Sequence, residues 1–419
     1  MKHELELGIS NQMKPSKTLL FSAVLIVTMT DAYAKGIVAQ NVDIKTSDGT
    51  QLKASYFAAS KPGPGVLLLH QANRDRKSWD GVASQLASAG INTLTLDMRG
   101  HGESGGKAGD KITDDVDKAF QYLVSQPGVN RGVIGAGGAG WLGVGYCVEF
   151  ARQHPAQVKS LVLLSGETLG GSLARIGYQF LHKASQLPEL FAFSDDDEYP
   201  PTQDAMKLLY VTAGSPSKKL VHYSAADDAP WLWYETSDAS KVPAKGGHGT
   251  DMFKVHSELP DIIVHWFATT LIKTPGHAPA DGLAAAPILF QLQTPGAAAQ
   301  VTQQLLEARR KDSQAQLWPE AAVDIIGEDY HRVGDIKNAI ETFKLNVLAY
   351  PDSADAHSNL AGAYLADGQK ELARQHAEKA LALLDSHRSP ASSWADTEQR
   401  RGEIRSDVEK ILKQLTSGS

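Results

Sequence analysis

The sequence predicts an α/β protein, a doubly wound and mostly parallel sheet, followed by an all-α helical-repeat domain. Three observations carry this reading. Between residues 42 and 271, short apolar strands alternate with stretches of helical periodicity, which implies parallel strands joined by crossover helices that cover both faces. Between residues 274 and 299 the chain becomes rich in Ala, Pro and Gly and loses periodicity, as a linker does. Beyond it, Gly327, Tyr330, Gly334 and Ala339 recur as Ala361, Tyr364, Gly368 and Ala373, each 34 residues on (361 − 327 = 34, and likewise for the others). A fixed period of this kind marks stacked helical hairpins.

The expected organisation is a signal peptide over residues 1–34, a sheet domain over 35–273, a linker with an entry helix over 274–312, and a repeat domain over 313–419. At 419 residues the chain is too long for one ordinary core. Lys14 and Lys17, an apolar run over 18–29 and Ala32-Tyr33-Ala34 follow the order of a secretory signal with its cleavage site, so export to a periplasmic or secreted location is expected. The apolar run is too short to span a bilayer comfortably, and no integral membrane span is expected after cleavage. A net charge of −7 without a basic stripe speaks against nucleic acid as a partner. The single cysteine, Cys147, excludes an internal disulfide and reads as a small core residue. No cofactor is required, and no metal site has convincing ligand spacing.

Taken in order, residues 42–57 read as a β-hairpin turning at Ser47-Asp48-Gly49-Thr50, and residues 65–69 as a buried strand. A helix over 79–89, a strand over 91–96, a helix over 116–123 and strands over 132–135 and 158–164 follow. The last strand falls at 219–223, before an apolar helix over 262–271. Two repeats seldom stand alone, so helices near 303–311 and 397–415 are expected to cap them, unless the sheet domain does.

Four motifs in the sheet region bear on chemistry. Leu69-His70-Gln71-Ala72-Asn73 ends a strand where backbone N–H groups can be aimed at an oxyanion. Asp97-Met98-Arg99-Gly100-His101-Gly102-Glu103-Ser104 has charged groups able to pin a glycine-rich loop. Asp195-Asp196-Asp197-Glu198-Tyr199-Pro200 follows a strand, and Gly246-Gly247-His248-Gly249 precedes the last helix of the region. In this order and context residues 42–271 resemble the α/β-hydrolase superfamily, especially its dienelactone-hydrolase-like and lipase-like members, while residues 320–386 resemble tetratricopeptide repeats.

The hydrolase resemblance implies Asp197 and His248 as acid and base, with His70, Gln71 and Gly138 supplying the oxyanion hole or pocket. It also implies a serine in a strand-turn-helix elbow. Val133-Ile134-Gly135-Ala136-Gly137-Gly138-Ala139-Gly140 offers none there. Counted from the strand the elbow falls on Gly137; counted back from the helix end it falls on Gly140 or Trp141. Ser125 lies too early and Ser165 belongs to the next strand's end. The expectation is therefore a hydrolase-like protein that acts on, or binds, a small ester or lactone through an Asp197–His248 dyad. An inactive hydrolase fold whose tetratricopeptide repeats recruit a protein or peptide is the alternative. A third reading takes residues 135–140 as a G-x-G-x-x-G dinucleotide fingerprint with Glu167 as the ribose acid. The aromatic segment Ala229-Pro230-Trp231-Leu232-Trp233-Tyr234-Glu235 could roof the pocket or seat the repeats.

Overall fold

The computed structural model describes residues 37–109, 111–166, 172–195, 197, 200–223, 247–282, 286–386 and 398–417. The expected signal peptide and the aromatic segment at 229–235 lie outside these residues. The described residues form one compact unit.

Among the described residues eight strands make one sheet: β1 (Gln40–Lys45), β2 (Gln51–Phe57), β3 (Gly63–Leu69), β4 (Asn92–Leu96), β5 (Val129–Ala139), β6 (Val158–Leu164), β7 (Glu189–Ser194) and β8 (Lys218–Tyr223), in the order β1-β2-β4-β3-β5-β6-β7-β8. β2 alone runs against the others, pairing antiparallel with β1 and β4. The remaining neighbours are parallel. This is the α/β-hydrolase fold.

Helices α1 (Asp80–Ser88), α2 (Ile112–Ser125), α3 (Gly140–Gln153), α4 (Ser172–Lys183), α5 (Pro200–Thr212), α6 (Met252–Val255) and α7 (Leu259–Phe267) connect the strands or close the region, and α7 runs on into a π-helical turn, Ala268–Lys273. β3, β4, β6 and β7 are buried on both faces, so their alternate residues serve opposite cores. Val66 and Leu68 of β3 pack with Trp79, Leu86, Ile263 and Phe267 on the side of α1 and α7. Leu67 and Leu69 pack on the other side with Phe120, Val144 and Tyr178 from α2, α3 and α4.

β5 outruns its expected end at Gly135 by four residues. Glycine disfavours strands by propensity, but here close packing overrides that preference. A Cβ on Gly135 would lie 2.8 Å from the Phe267 ring and 2.9 Å from Leu271, so only a bare backbone passes beneath α7 and its extension.

Beyond residue 273 the elements among the described residues are all helices: α8 (Pro287–Leu292), α9 (Ala298–Lys311), α10 (Glu320–Arg332), α11 (Ile336–Ala349), α12 (Ala354–Ala366), α13 (Lys370–Asp385) and α14 (Glu398–Ser417). α10 and α12 start 34 residues apart (354 − 320 = 34), as do α11 and α13 (370 − 336 = 34). The recurring positions occupy equivalent places: Tyr330 and Tyr364 are buried, as are Ala339 and Ala373. α9 packs on α11, and α14 covers α13, burying Ile404 and Val408 against Ala377 and Ala380.

A helix within the Ala/Pro/Gly-rich stretch packs into the core. Leu289 and Leu292 of α8 are buried in the same apolar cluster as the sheet residues, Phe290 stacks on His182 with ring centroids 3.4 Å apart, and the Tyr330 hydroxyl donates to the Leu292 carbonyl at 3.0 Å. A six-residue helix is too short to show periodicity in an Ala/Pro/Gly-rich stretch. Among the described residues no helix is long and apolar enough to cross a membrane.

Candidate functional site

The loops that leave β3, β5 and β7, together with the loop before α6, meet at the carboxyl edge of the sheet, where ligands of open α/β sheets bind. His248 stands between Gly247 and Gly249, both at positive φ (+76° and +55°). A Cβ on Gly249 would run into the Gln71 amide oxygen, so the loop needs glycine there for space as well as for conformation. His248 Nδ1 lies 3.0 Å from Asp197 Oδ1 and 3.1 Å from Oδ2. Both side chains are buried, Asp197 completely. With Nδ1–H donated to the carboxylate, Nε2 is the basic nitrogen of the ring.

Nε2 faces the strand-to-helix turn at Gly140. Gly140 has φ +62°, and a Cβ placed on it would lie 3.0 Å from His248 Nε2 and 2.6 Å from Gln71 Cβ. This position corrects the placement of the turn at Gly137. Gly137 sits inside β5, paired with Leu68 and Val162, three residues short of the helix. A side chain there would meet Leu68 Cδ2 at 2.6 Å rather than His248. Gly138 is corrected with it, since it too lies within the ladder, between Leu69 and Leu163, and a Cβ on it would run into the Gly143 backbone. The backbone donors that open at this edge belong to the first turn of α3, with Trp141 next to Gly140. The first N–H groups of a helix have no partner within it. Trp141, 47% exposed, follows Gly140 in that turn, where the count from the helix end also pointed.

His70 and Gln71 take parts different from those expected. His70 is fully buried; its Nε2 accepts the Met98 N–H at 3.0 Å, so its Nδ1–H donates to the Gln71 carbonyl at 2.8 Å. Burial depresses its basicity, and the ring ties the end of β3 to the end of β4 instead of lining a pocket. Gln71, also buried, clamps the histidine loop. Its Nε2 donates to the His248 carbonyl at 2.8 Å, and its Oε1 accepts from Thr250 N at 2.8 Å and Thr250 Oγ1 at 2.9 Å. Gln71→Ala leaves these buried backbone groups without partners and is expected to cost about 2–4 kcal/mol, read as a lowered urea midpoint at unchanged m.

The glycine-rich rim is pinned by a partner absent from its own motif. Asp97, fully buried, is met by the Arg76 guanidinium and accepts from Arg76 N at 2.7 Å and Glu103 N at 2.9 Å. Arg76 also reaches Glu103 at 2.7 Å and Ser55 at 3.0 Å. Arg99 turns away to Asp115 and Asp48. Nothing in the local sequence around Arg76 marks it; the pair forms only when the loop after β3 folds over β4.

A polar cavity of about 440 Å³ is lined by Asn73, Arg74, Asp75, Ser78, Thr250 and Asp251, and neither Asp197 nor His248 is among its lining residues. Arg74 and Asp251, both in its lining, pair at 2.5 Å. Cys147 is wholly buried and its thiol is pushed upward by desolvation, as expected of a core residue.

Residues 60–186 match the family model described as Hydrolase_4, serine aminopeptidase, S33. Over 109 residues the chain is 30% identical to an uncharacterized protein of Mycobacterium bovis, a match covering 26% of this chain and 31% of that protein. The match thus spans under a third of the relative's length. Among solved structures, a dienelactone hydrolase from Anabaena variabilis is 17% identical with a TM-score of 0.40, covering 56% of this chain and 98% of the other. Est1E from Butyrivibrio proteoclasticus, with ferulic acid bound, is 19% identical with a TM-score of 0.42, covering 56% and 100%.

The dinucleotide reading fails on position. Gly135 and Gly137 are strand residues paired on both sides, not a turn that could cradle a pyrophosphate. Glu167, like Asp196 and Glu198, lies outside the described residues.

Proposed function

We propose that this hydrolase-like protein binds a small ester, lactone or related carbonyl compound beside Asp197 and His248 and does not carry out serine-type acyl transfer. One observation carries the reading: at the turn facing His248 Nε2 there is a glycine, and Gln71 Cβ and the imidazole take up the room a serine side chain would need. Removing the nucleophile leaves only the residual contribution of binding and oxyanion donors. An alkyl fluorophosphonate, which captures activated serines, is expected to leave the protein's mass unchanged. A phosphonyl adduct on any serine would overturn the proposal.

The Asp197–His248 distance supports a second reading, in which the oriented imidazole activates a water without any acyl-enzyme. Product release from a panel of short activated esters, measured beside His248→Ala, separates the two. Equal background rates in both proteins are expected for binding alone; a rate lost in the variant means water activation by the dyad. In either reading the 34-residue helical hairpins, taken as tetratricopeptide repeats, serve to recruit a protein or peptide, and the chain works outside the cytoplasm after loss of residues 1–34.

A further inference from the structure

The first helical hairpin holds an unusual concentration of buried charge. Glu320 and Asp324 lie one turn apart on α10, and Asp355 opens α12; all three are buried, and one carboxylate oxygen from each lies within 4.8 Å of the others. Protein donors satisfy one side of the cluster. Asn346 Nδ2 donates to Asp324 Oδ1 at 2.7 Å, Arg400 Nη2 to Asp355 Oδ1 at 2.8 Å, and the Ser353 hydroxyl to Glu320 Oε1. The other oxygens of the two aspartates, Asp324 Oδ2 and Asp355 Oδ2, are buried and meet no donor. Buried carboxylates are expensive unless paired or bound to a metal.

We infer that Glu320, Asp324 and Asp355 form a site for a hard divalent cation of the calcium type, which ties the first repeat to the second. Three carboxylate oxygens at this spacing suit such an ion, whose oxygen ligands lie about 2.3–2.6 Å away and so up to about 5 Å from one another. The donor set contains no sulfur or imidazole, which argues against zinc and copper. Charge counting points the same way. Among the described residues Arg400 pairs with Asp355 at 2.8 Å and also faces Glu403 at 3.5 Å, so its single positive charge is divided between two carboxylates. The spacing escapes a sequence search because the ligands come from two helices and only their packing brings Asp355 to Asp324.

The site has an internal reporter. Trp318 Nε1 donates to Asn346 Oδ1 at 3.2 Å, and the same Asn346 holds Asp324, so an indole lies one side chain away from the cluster. The full chain, stripped with a chelator, would be titrated with terbium while exciting tryptophan, and its melting temperature followed with and without calcium, magnesium or manganese. Sensitised terbium emission that calcium displaces, and a melting temperature that calcium raises, are expected. Asp324→Asn and Asp355→Asn should retain the far-ultraviolet spectrum of the wild type and lose at least tenfold in terbium affinity. If the carboxylates share protons instead, the wild type will ignore all four ions and Asp324→Asn will melt higher than the stripped wild type. That result, or terbium emission unchanged in both variants, overturns the proposal.

Discussion

Gly140→Ser is expected to destabilise the protein by about 3 kcal/mol and to leave ester cleavage at background. Two separate effects contribute. A non-glycine residue held in the left-handed region costs roughly 1–3 kcal/mol, and Gly140 has φ +62°. Forcing atoms into a packed site costs a further 1–3 kcal/mol or so, and the new Cβ would stand 2.6 Å from Gln71 Cβ. The second effect depends on Gln71 having a side chain at all. In Gln71→Gly the collision is removed, at the loss of the clamp on the His248 loop. The two substitutions should therefore be non-additive, with the double variant more stable than the sum of the singles predicts by about 1–3 kcal/mol. Urea unfolding of the four proteins measures this coupling, and an activated-ester assay on the same samples asks whether Oγ comes within reach of His248. Gly140→Ser as stable as the wild type and active by itself would mean that the nucleophile's place is open after all. The same residue thus has two effects: the Gln71 amide holds the histidine loop, while its Cβ crowds the place that a serine's methylene would take at Gly140.

Arg76→Met should cost about 3–5 kcal/mol, the range for removing one member of a buried ion pair and stranding the other. Asp97 is wholly buried, Arg76 is 2% exposed, and the guanidinium joins Asp97, Glu103 and Ser55. In the variant Asp97 keeps only its backbone donors, Arg76 N and Glu103 N, with its charge in an apolar surround. Changing Asp97 to Asn in the same chain should recover much of the loss, because the stranded charge disappears with it. Unfolding midpoints for the two single variants and the double decide the matter; a double variant as unstable as the sum of its parts would show that packing of the arginine stem, not charge, is what the rim requires. The exposed pair between Lys77 and Glu103 is expected to matter little by comparison, since both groups are more than half exposed.

Residues with strong local signatures were legible from the chain. The alternation of buried strands and helices, the glycines around His248, the acid after β7 and the 34-residue recurrence all follow from short-range patterning that survives in any context. Asp197 and His248 were found because each sits in a distinctive loop, and the structure brings the two within 3.0 Å. The position of the turn was not legible. Four glycines and two alanines in a row between Gly135 and Gly140 carry no propensity that marks where a strand stops, and the answer depends on Phe267 and Leu271 pressing the backbone into an extended path.

The sequence by itself therefore determined the class of the fold, the alternation of strands and helices, and the pair Asp197 and His248 that the structure brings into contact. Tertiary structure alone decided that Gly140 faces His248, that Gln71 is a clamp, that Arg76 pairs with Asp97, that the Ala/Pro/Gly-rich stretch joins one continuous core, and that three acidic side chains from two helices converge. The division has a physical reason. Periodicity and turn chemistry are properties of neighbouring residues, whereas these contacts unite residues as far apart as Gln71 and Thr250, whose pairing exists only once the sheet has brought its loops together.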